Sequence, residues 1–241
     1  MRILPLFFCF KNNPAASATE VPSANVVGYT KINLKANEYM MTGAQFVNVG
    51  GTNASLADLF ISDNIPYGTR VMFATETGAY DTIKYLEEAY DEANDDFIPG
   101  WGDGDEYLVT NPVAPGTGFW VISPSAIELT QVGEVVNKDS YTVTIPANIY
   151  TMVANPFPKG FNPNKATWSA NLPYRTQMLT LNDNGSYTTY RYLEEAYDEA
   201  NDDFYPGWGD GDEYLVTNPI AFEGEGVWVL STEEITVTFT K

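Results

Sequence analysis

The chain repeats itself. Residues 85–112, YLEEAYDEANDDFIPGWGDGDEYLVTNP, return as residues 192–219, and of the 28 paired positions only Ile98 against Tyr205 differs. A stretch duplicated this closely is constrained to fold the same way twice, so two homologous modules are expected. The 241 residues suffice for two ordinary domains, each with its own core. Upstream the likeness fades: between 67–84 and 174–191 only Tyr67, Thr69, Gly78, Tyr80 and Thr82 have identical partners. Either both copies of the acidic stretch do the same chemistry, or a recent sequence exchange made them alike.

Each copy holds nine carboxylates and no Lys or Arg, so the pair accounts for 18 of the 32 acidic residues. The remainder is near balance, with 14 acids against 12 bases. The net charge of −20 therefore sits almost wholly in two copies of one segment. Such a chain repels phosphate backbones and anionic lipid surfaces, which excludes nucleic acid as a partner. Histidine is absent, and the one cysteine, Cys9, lies in the N-terminal apolar segment. That removes Ser-His and Cys-His nucleophiles, thiolate metal sites and disulfides from the modules. A glycosidase needs only two carboxylates at the correct separation. Nine in one short segment would disturb its acid and base assignments, and small repeated modules leave little room for a deep cleft, so no enzyme is expected.

Hydrophobic residues make up 44% of the chain and aromatics 14%, with 19 Gly and 15 Pro, a globular and turn-rich composition. Short β-rich runs lie at 26–34, 39–42, 69–75, 80–86, 106–109, 118–123 and 127–136, with Gly, Pro and Asn between them. A second series begins after Asn137-Lys138-Asp139, a short polar joint. The fold class is all-β: two tandem homologous β-sandwich or barrel-like modules of about seven strands each, over 25–136 and 137–241. Within the acidic stretch Leu86, Ala89, Tyr90, Ala93 and Phe97 recur at helical spacing. Adjacent acids repel along a helix and the flanks are strands, so a long acidic loop with one helical turn is expected there.

Residues 1–24 open with Met1-Arg2, an apolar run over 3–10 and Ala16-Ser17-Ala18, the pattern of a cleavable secretion signal. The alternative is a retained apolar strand that pairs with a sheet edge, for example on a neighbouring molecule. Export implies an extracellular or cell-surface location. No later run reaches the roughly 18 apolar residues that a membrane-spanning helix needs.

The order of pieces resembles a β-module repeated in secreted and surface proteins of many bacteria. Its marks are an Asn-Pro-Phe turn, here Val153-Ala154-Asn155-Pro156-Phe157, and a turn leading into an aromatic strand, here Pro115-Gly116-Thr117-Gly118-Phe119-Trp120-Val121 and Gly224-Glu225-Gly226-Val227-Trp228-Val229. The first module has Gly43-Ala44-Gln45-Phe46 in place of the Asn-Pro turn, and the second has Phe222-Glu223 where the proline would stand. The resemblance implies an extracellular β fold and carries no active-site residue.

Crowded carboxylates raise one another's proton affinity unless a cation neutralises them. Calcium suits this chemistry, since it takes six to eight oxygens in flexible geometry. The candidate ligands are Asp95, Asp96, Asp103, Asp105 and Glu106, with Asp202, Asp203, Asp210, Asp212 and Glu213 in the second copy. The spacing fits no EF-hand. The bland alternative is a solvated acidic loop. Tyr85, Tyr90, Phe97, Trp101 and Tyr107 are interleaved with the acids, a combination that can hold sugars, although such rings more commonly pack a core. Two functions are thus open. One is a calcium-stabilised structural or surface protein that assembles with itself, head to tail, into a fibre or matrix; the other is a pair of polysaccharide-binding modules with Trp101 and Trp208 as platforms.

Overall fold

The computed structural model describes residues 27–61 and 64–241, so the expectations for 1–24 lie outside the described residues. The first half of the chain runs β1 (Val27–Leu34), β2 (Met40–Gly43), β3 (Phe46–Val47), a single helical turn α1 (Leu56–Leu59), β4 (Arg70–Ala74), β5 (Tyr80–Asp91), β6 (Asp96–Gly102), β7 (Gly118–Ile122) and β8 (Ile127–Val135). The second half runs β9 (Ser140–Ile145), β10 (Thr151–Ala154), β11 (Thr167–Trp168), β12 (Gln177–Leu181), β13 (Tyr187–Asp198), β14 (Asp203–Gly209), β15 (Gly226–Leu230) and β16 (Ile235–Thr240). The fold is all-β, with two tandem sandwiches as expected.

Each half builds the same pair of antiparallel sheets. The five-stranded sheets have the orders β2-β7-β4-β5-β6 and β10-β15-β12-β13-β14; the three-stranded sheets have the orders β1-β8-β3 and β9-β16-β11. Alternation along the strands explains how the layers close. In β7 Phe119 and Val121 turn into the first core, where they meet Ile32, Phe46, Leu129 and Trp101. In β15 Val227 and Val229 turn likewise toward Ile145, Phe157, Met178 and Trp208. The turn at Asn155 is built by its own side chain, whose Oδ1 accepts the Phe157 N–H at 3.0 Å, and this drops the fully buried Phe157 into the core.

Trp120 and Trp228 point the other way. Both are buried, yet in a third cluster formed with Met41 and Met152 between the two sandwiches. Here the modules meet about a pseudo-twofold axis. Gly43 N–H donates to Gly224 O at 3.2 Å, and at the equivalent place Ala154 N–H donates to Gly116 O at 3.0 Å. The bridge pairing Thr42 with Glu225 is mirrored by that pairing Thr117 with Val153. The same patch of each module therefore contacts its counterpart, the geometry of a symmetric dimer made within one chain. Among the described residues no helix is long and apolar enough to cross a membrane.

Candidate functional site

The acidic stretch forms neither a long loop nor a helical turn. It is a β-hairpin, β5 against β6 in the first module and β13 against β14 in the second. The apparent helical spacing has a physical origin. Between Leu86 and Ala89 the register shifts, so that Glu87 and Glu88 face only Pro99 across the ladder. This β-bulge inserts one residue, breaks the alternation, and leaves both Leu86 and Ala89 buried while the two acids stay outside. It also accommodates Pro99, which lacks an N–H, where ladder bonds are already disrupted. Leu193, Ala196 and Pro206 repeat the bulge, with Ala196 buried and Leu193 half-buried.

At the hairpin tip the carboxylates serve as turn acceptors. Asp91 Oδ1 accepts the Ala93 N–H at 3.0 Å and Oδ2 accepts the Asn94 side-chain amide at 2.7 Å. Asp95 stands in the left-handed region with φ 54°, and its Oδ1 accepts the Tyr90 hydroxyl at 2.8 Å. Asp96 Oδ1 accepts the N–H of Phe97 at 2.8 Å. After β6, Asp103 Oδ1 accepts from both Asp105 N–H and Tyr107 N–H at 3.0 Å, closing a turn in which Glu106 is left-handed at φ 66°. Tyr90 then ties the two turns together: its N–H donates to Glu106 O at 2.8 Å, and its carbonyl accepts from Leu108 N–H at 2.9 Å. The Tyr90 ring packs against Phe97 and Tyr107, with centroids 5.2 and 5.4 Å away.

The second hairpin reproduces these bonds. Asp198 accepts from Ala200 N–H and the Asn201 amide, Asp202 from the Tyr197 hydroxyl, Asp203 from Phe204 N–H, and Asp210 from Asp212 N–H and Tyr214 N–H. Asp202 and Glu213 are again left-handed, at φ 53° and 67°. The bond to Asp95 is the first cause that holds the Tyr90 hydroxyl above the usual tyrosine range, and Asp202 does the same for Tyr197.

Of the ten expected metal ligands, Asp95, Asp96, Asp103, Asp105, Glu106, Asp202, Asp203, Asp212 and Glu213 are exposed and Asp210 is half-buried. Among the described residues no three Asp, Glu, His or Cys side chains come together in a group that could hold a metal ion. Among the described residues the one carboxyl held below its usual range lies elsewhere: Asp58, which accepts the Ser55 N–H and hydroxyl in the capping box of α1.

The rings divide by depth. Trp101 and Trp208 are each 1% exposed and fill the two cores, beside Tyr85 and Phe60 in one and Trp168 and Tyr192 in the other, so neither can serve as a sugar platform. Phe97 and Phe204 are 60% and 58% exposed on the hairpins. Other exposed rings were not singled out from sequence. Tyr39, Tyr80, Tyr150 and Tyr187 gather along the module boundary. Their one local sign is the repeated Ala-Asn-x-Tyr at 36–39 and 147–150.

Fold and site together define a tandem of two β-sandwiches joined through a pseudo-twofold interface, each projecting the same acidic hairpin. No family model, curated protein or solved structure matches the chain.

Proposed function

We propose that this is a non-enzymatic structural protein of the extracellular space or cell surface, which assembles with further copies of itself through calcium shared between acidic hairpins. The observation that carries the proposal is the duplication of the hairpin's turn bonds, with Asp96 and Asp105 exposed in one module and Asp203 and Asp212 in the other. One oxygen each of Asp103 and Asp210 is engaged with turn N–H groups. One molecule therefore offers an ion an incomplete shell, and a second molecule's carboxylates complete it, as the flexible coordination of calcium allows. Two such surfaces on one body make the unit bivalent, and bivalent units propagate. Export rests on the N-terminal pattern of residues 1–24 and on the resemblance to secreted bacterial modules.

Sedimentation velocity of the full chain tests this, over a range of protein concentrations in calcium chloride, magnesium chloride, and sodium chloride of matched ionic strength. Larger species are expected in calcium, fewer in magnesium and none in sodium. A single sedimenting species at every concentration in calcium would sink the proposal.

A further inference from the structure

The module boundary carries a row of rings. Tyr39 stands edge-on to Trp120 at 5.9 Å, Trp120 lies 6.5 Å from Trp228, and Trp228 lies 6.2 Å from Tyr150, again edge-on. The row is pseudo-symmetric, because Tyr39 and Trp120 are the counterparts of Tyr150 and Trp228. Its two tryptophans are buried, whereas the terminal tyrosines remain 49% and 46% exposed. Two grooves flank the row. One, of about 1270 Å³, runs between Tyr39 and the 182–185 turn of the second module. The other, of about 490 Å³, runs between Tyr150 and the 75–78 turn of the first. Tyr80 and Tyr187 border both. Neither groove exists in a single module, since each takes its ring from one and its turn from the other.

We infer that these paired grooves bind a neutral polysaccharide, with sugar rings laid on Tyr39 and Tyr150 and the intervening chain passing the Tyr80 and Tyr187 pair. Three features select that chemistry. First, a pyranose has an apolar C–H face and a hydroxyl rim, and half-exposed tyrosines present an apolar ring with a polar tip. Second, each groove sets an amide two residues from its tyrosine: Asn37 before Tyr39, and Asn148 before Tyr150. Both asparagines are held left-handed at φ 61°, with their N–H groups donating to Ser123 O and Ser231 O. An amide carries donors and acceptor together, as a hydroxyl-rich ligand requires. Third, among the described residues the larger groove has one cation, Lys35, paired with Glu38 at 3.2 Å, and the smaller has none. Acidic polysaccharides, phosphates and carboxylates would therefore meet unopposed negative charge. The inference stands apart from calcium-dependent assembly, which uses the hairpins.

Affinity electrophoresis of the full chain through gels containing xyloglucan, mixed-linkage β-glucan, galactomannan or laminarin tests it, with alginate and polygalacturonate as anionic arms. At least one neutral polysaccharide is expected to retard the protein. The double variant Tyr39→Ala/Tyr150→Ala should lose about tenfold or more in affinity, as truncated aromatic anchors do, while Tyr39→Trp/Tyr150→Trp should keep most of it. Tyrosine nitration mapped by mass spectrometry gives a readout on the unaltered protein. Saturating polysaccharide should protect Tyr39 and Tyr150 and leave the exposed Tyr29 and Tyr67 reactive. No retardation by any of the four neutral polysaccharides, retardation by the anionic ones alone, or nitration of Tyr39 and Tyr150 unchanged by a retarding polysaccharide would overturn the inference.

Discussion

Gly43 and Ala154 occupy equivalent places in the two modules and face each other across the pseudo-twofold axis, so closely that a methyl group on Gly43 would overlap that of Ala154. The interface is thus symmetric in its backbone hydrogen bonds and asymmetric at its tightest point. Gly43→Ala should force the modules apart and cost about 1–3 kcal/mol, the usual range for overpacking. Ala154→Gly should be far milder. Thermal melting of the two variants checks this; equal losses would mean that the axis has room to spare.

Trp120 and Trp101 predict different kinds of damage. Trp101→Ala empties the centre of one core and should cost roughly 3–5 kcal/mol, unfolding that module first. Trp120→Ala opens the seam between modules while leaving both cores packed, because its neighbours are Met41, Met152 and Trp228. Calorimetry should show Trp120→Ala splitting one transition into two, with Trp228→Ala adding little more since the pair shares one cluster. A single transition in the double variant would show that the two tryptophans are not what couples the modules.

Asp103 and Asp105 are neighbours with opposite expectations. Asp103→Ala removes the acceptor of two turn N–H groups and should destabilise the hairpin by about 1–2 kcal/mol. Asp105→Asn removes a charge from an exposed position in an acidic turn and should be neutral or slightly stabilising. If both variants lost the same stability in denaturant titrations, a role shared by the two carboxylates, rather than turn capping, would be the better account.

Tyr90 and Tyr197 give the hairpins an alkaline limit. Each hydroxyl donates to a carboxylate and is held above the usual tyrosine range, chiefly by that bond. Only the protonated form donates, and an ionised phenol would face the carboxylate as a like charge. The stabilisation is therefore complete below the ordinary tyrosine value of about 10 and is lost as pH rises through the raised folded-state value. The gap in melting temperature between the parent and Tyr90→Phe/Tyr197→Phe should be constant below about pH 10 and close above it. A gap that persists at strongly alkaline pH would contradict this.

Of the seven strands per module legible in the sequence six form, and among the described residues each module has eight. One of the two missed lies in the acidic hairpin, where the bulge between Leu86 and Ala89 disguised the second half of β5 as a helix-like pattern and Pro99 disguised β6 as a loop. The run at 106–109, legible as a strand, instead starts with a left-handed turn residue and makes only isolated bridges through Tyr107 and Leu108. The two-residue strands β3 and β11 are too short to leave any periodic signal. The acids of the site were found by counting, but their work was not: acceptance of nearby turn N–H groups depends on backbone angles that charge alone does not reveal.

By itself the sequence settled that this chain is all-β and folds one plan twice, because alternation, turn residues and a near-identical repeat act over a few residues and need no partner to be recognised. Only the tertiary structure decided what the second plan does to the first. β7 is buried on both faces, with Phe119 and Val121 in the core and Trp120 in the seam. A run of apolar residues looks the same whether its outer face meets solvent, a layer of its own module or another module. Which of these it meets depends on contacts between residues as distant in the chain as Thr42 and Gly224, whose pairing no local pattern encodes.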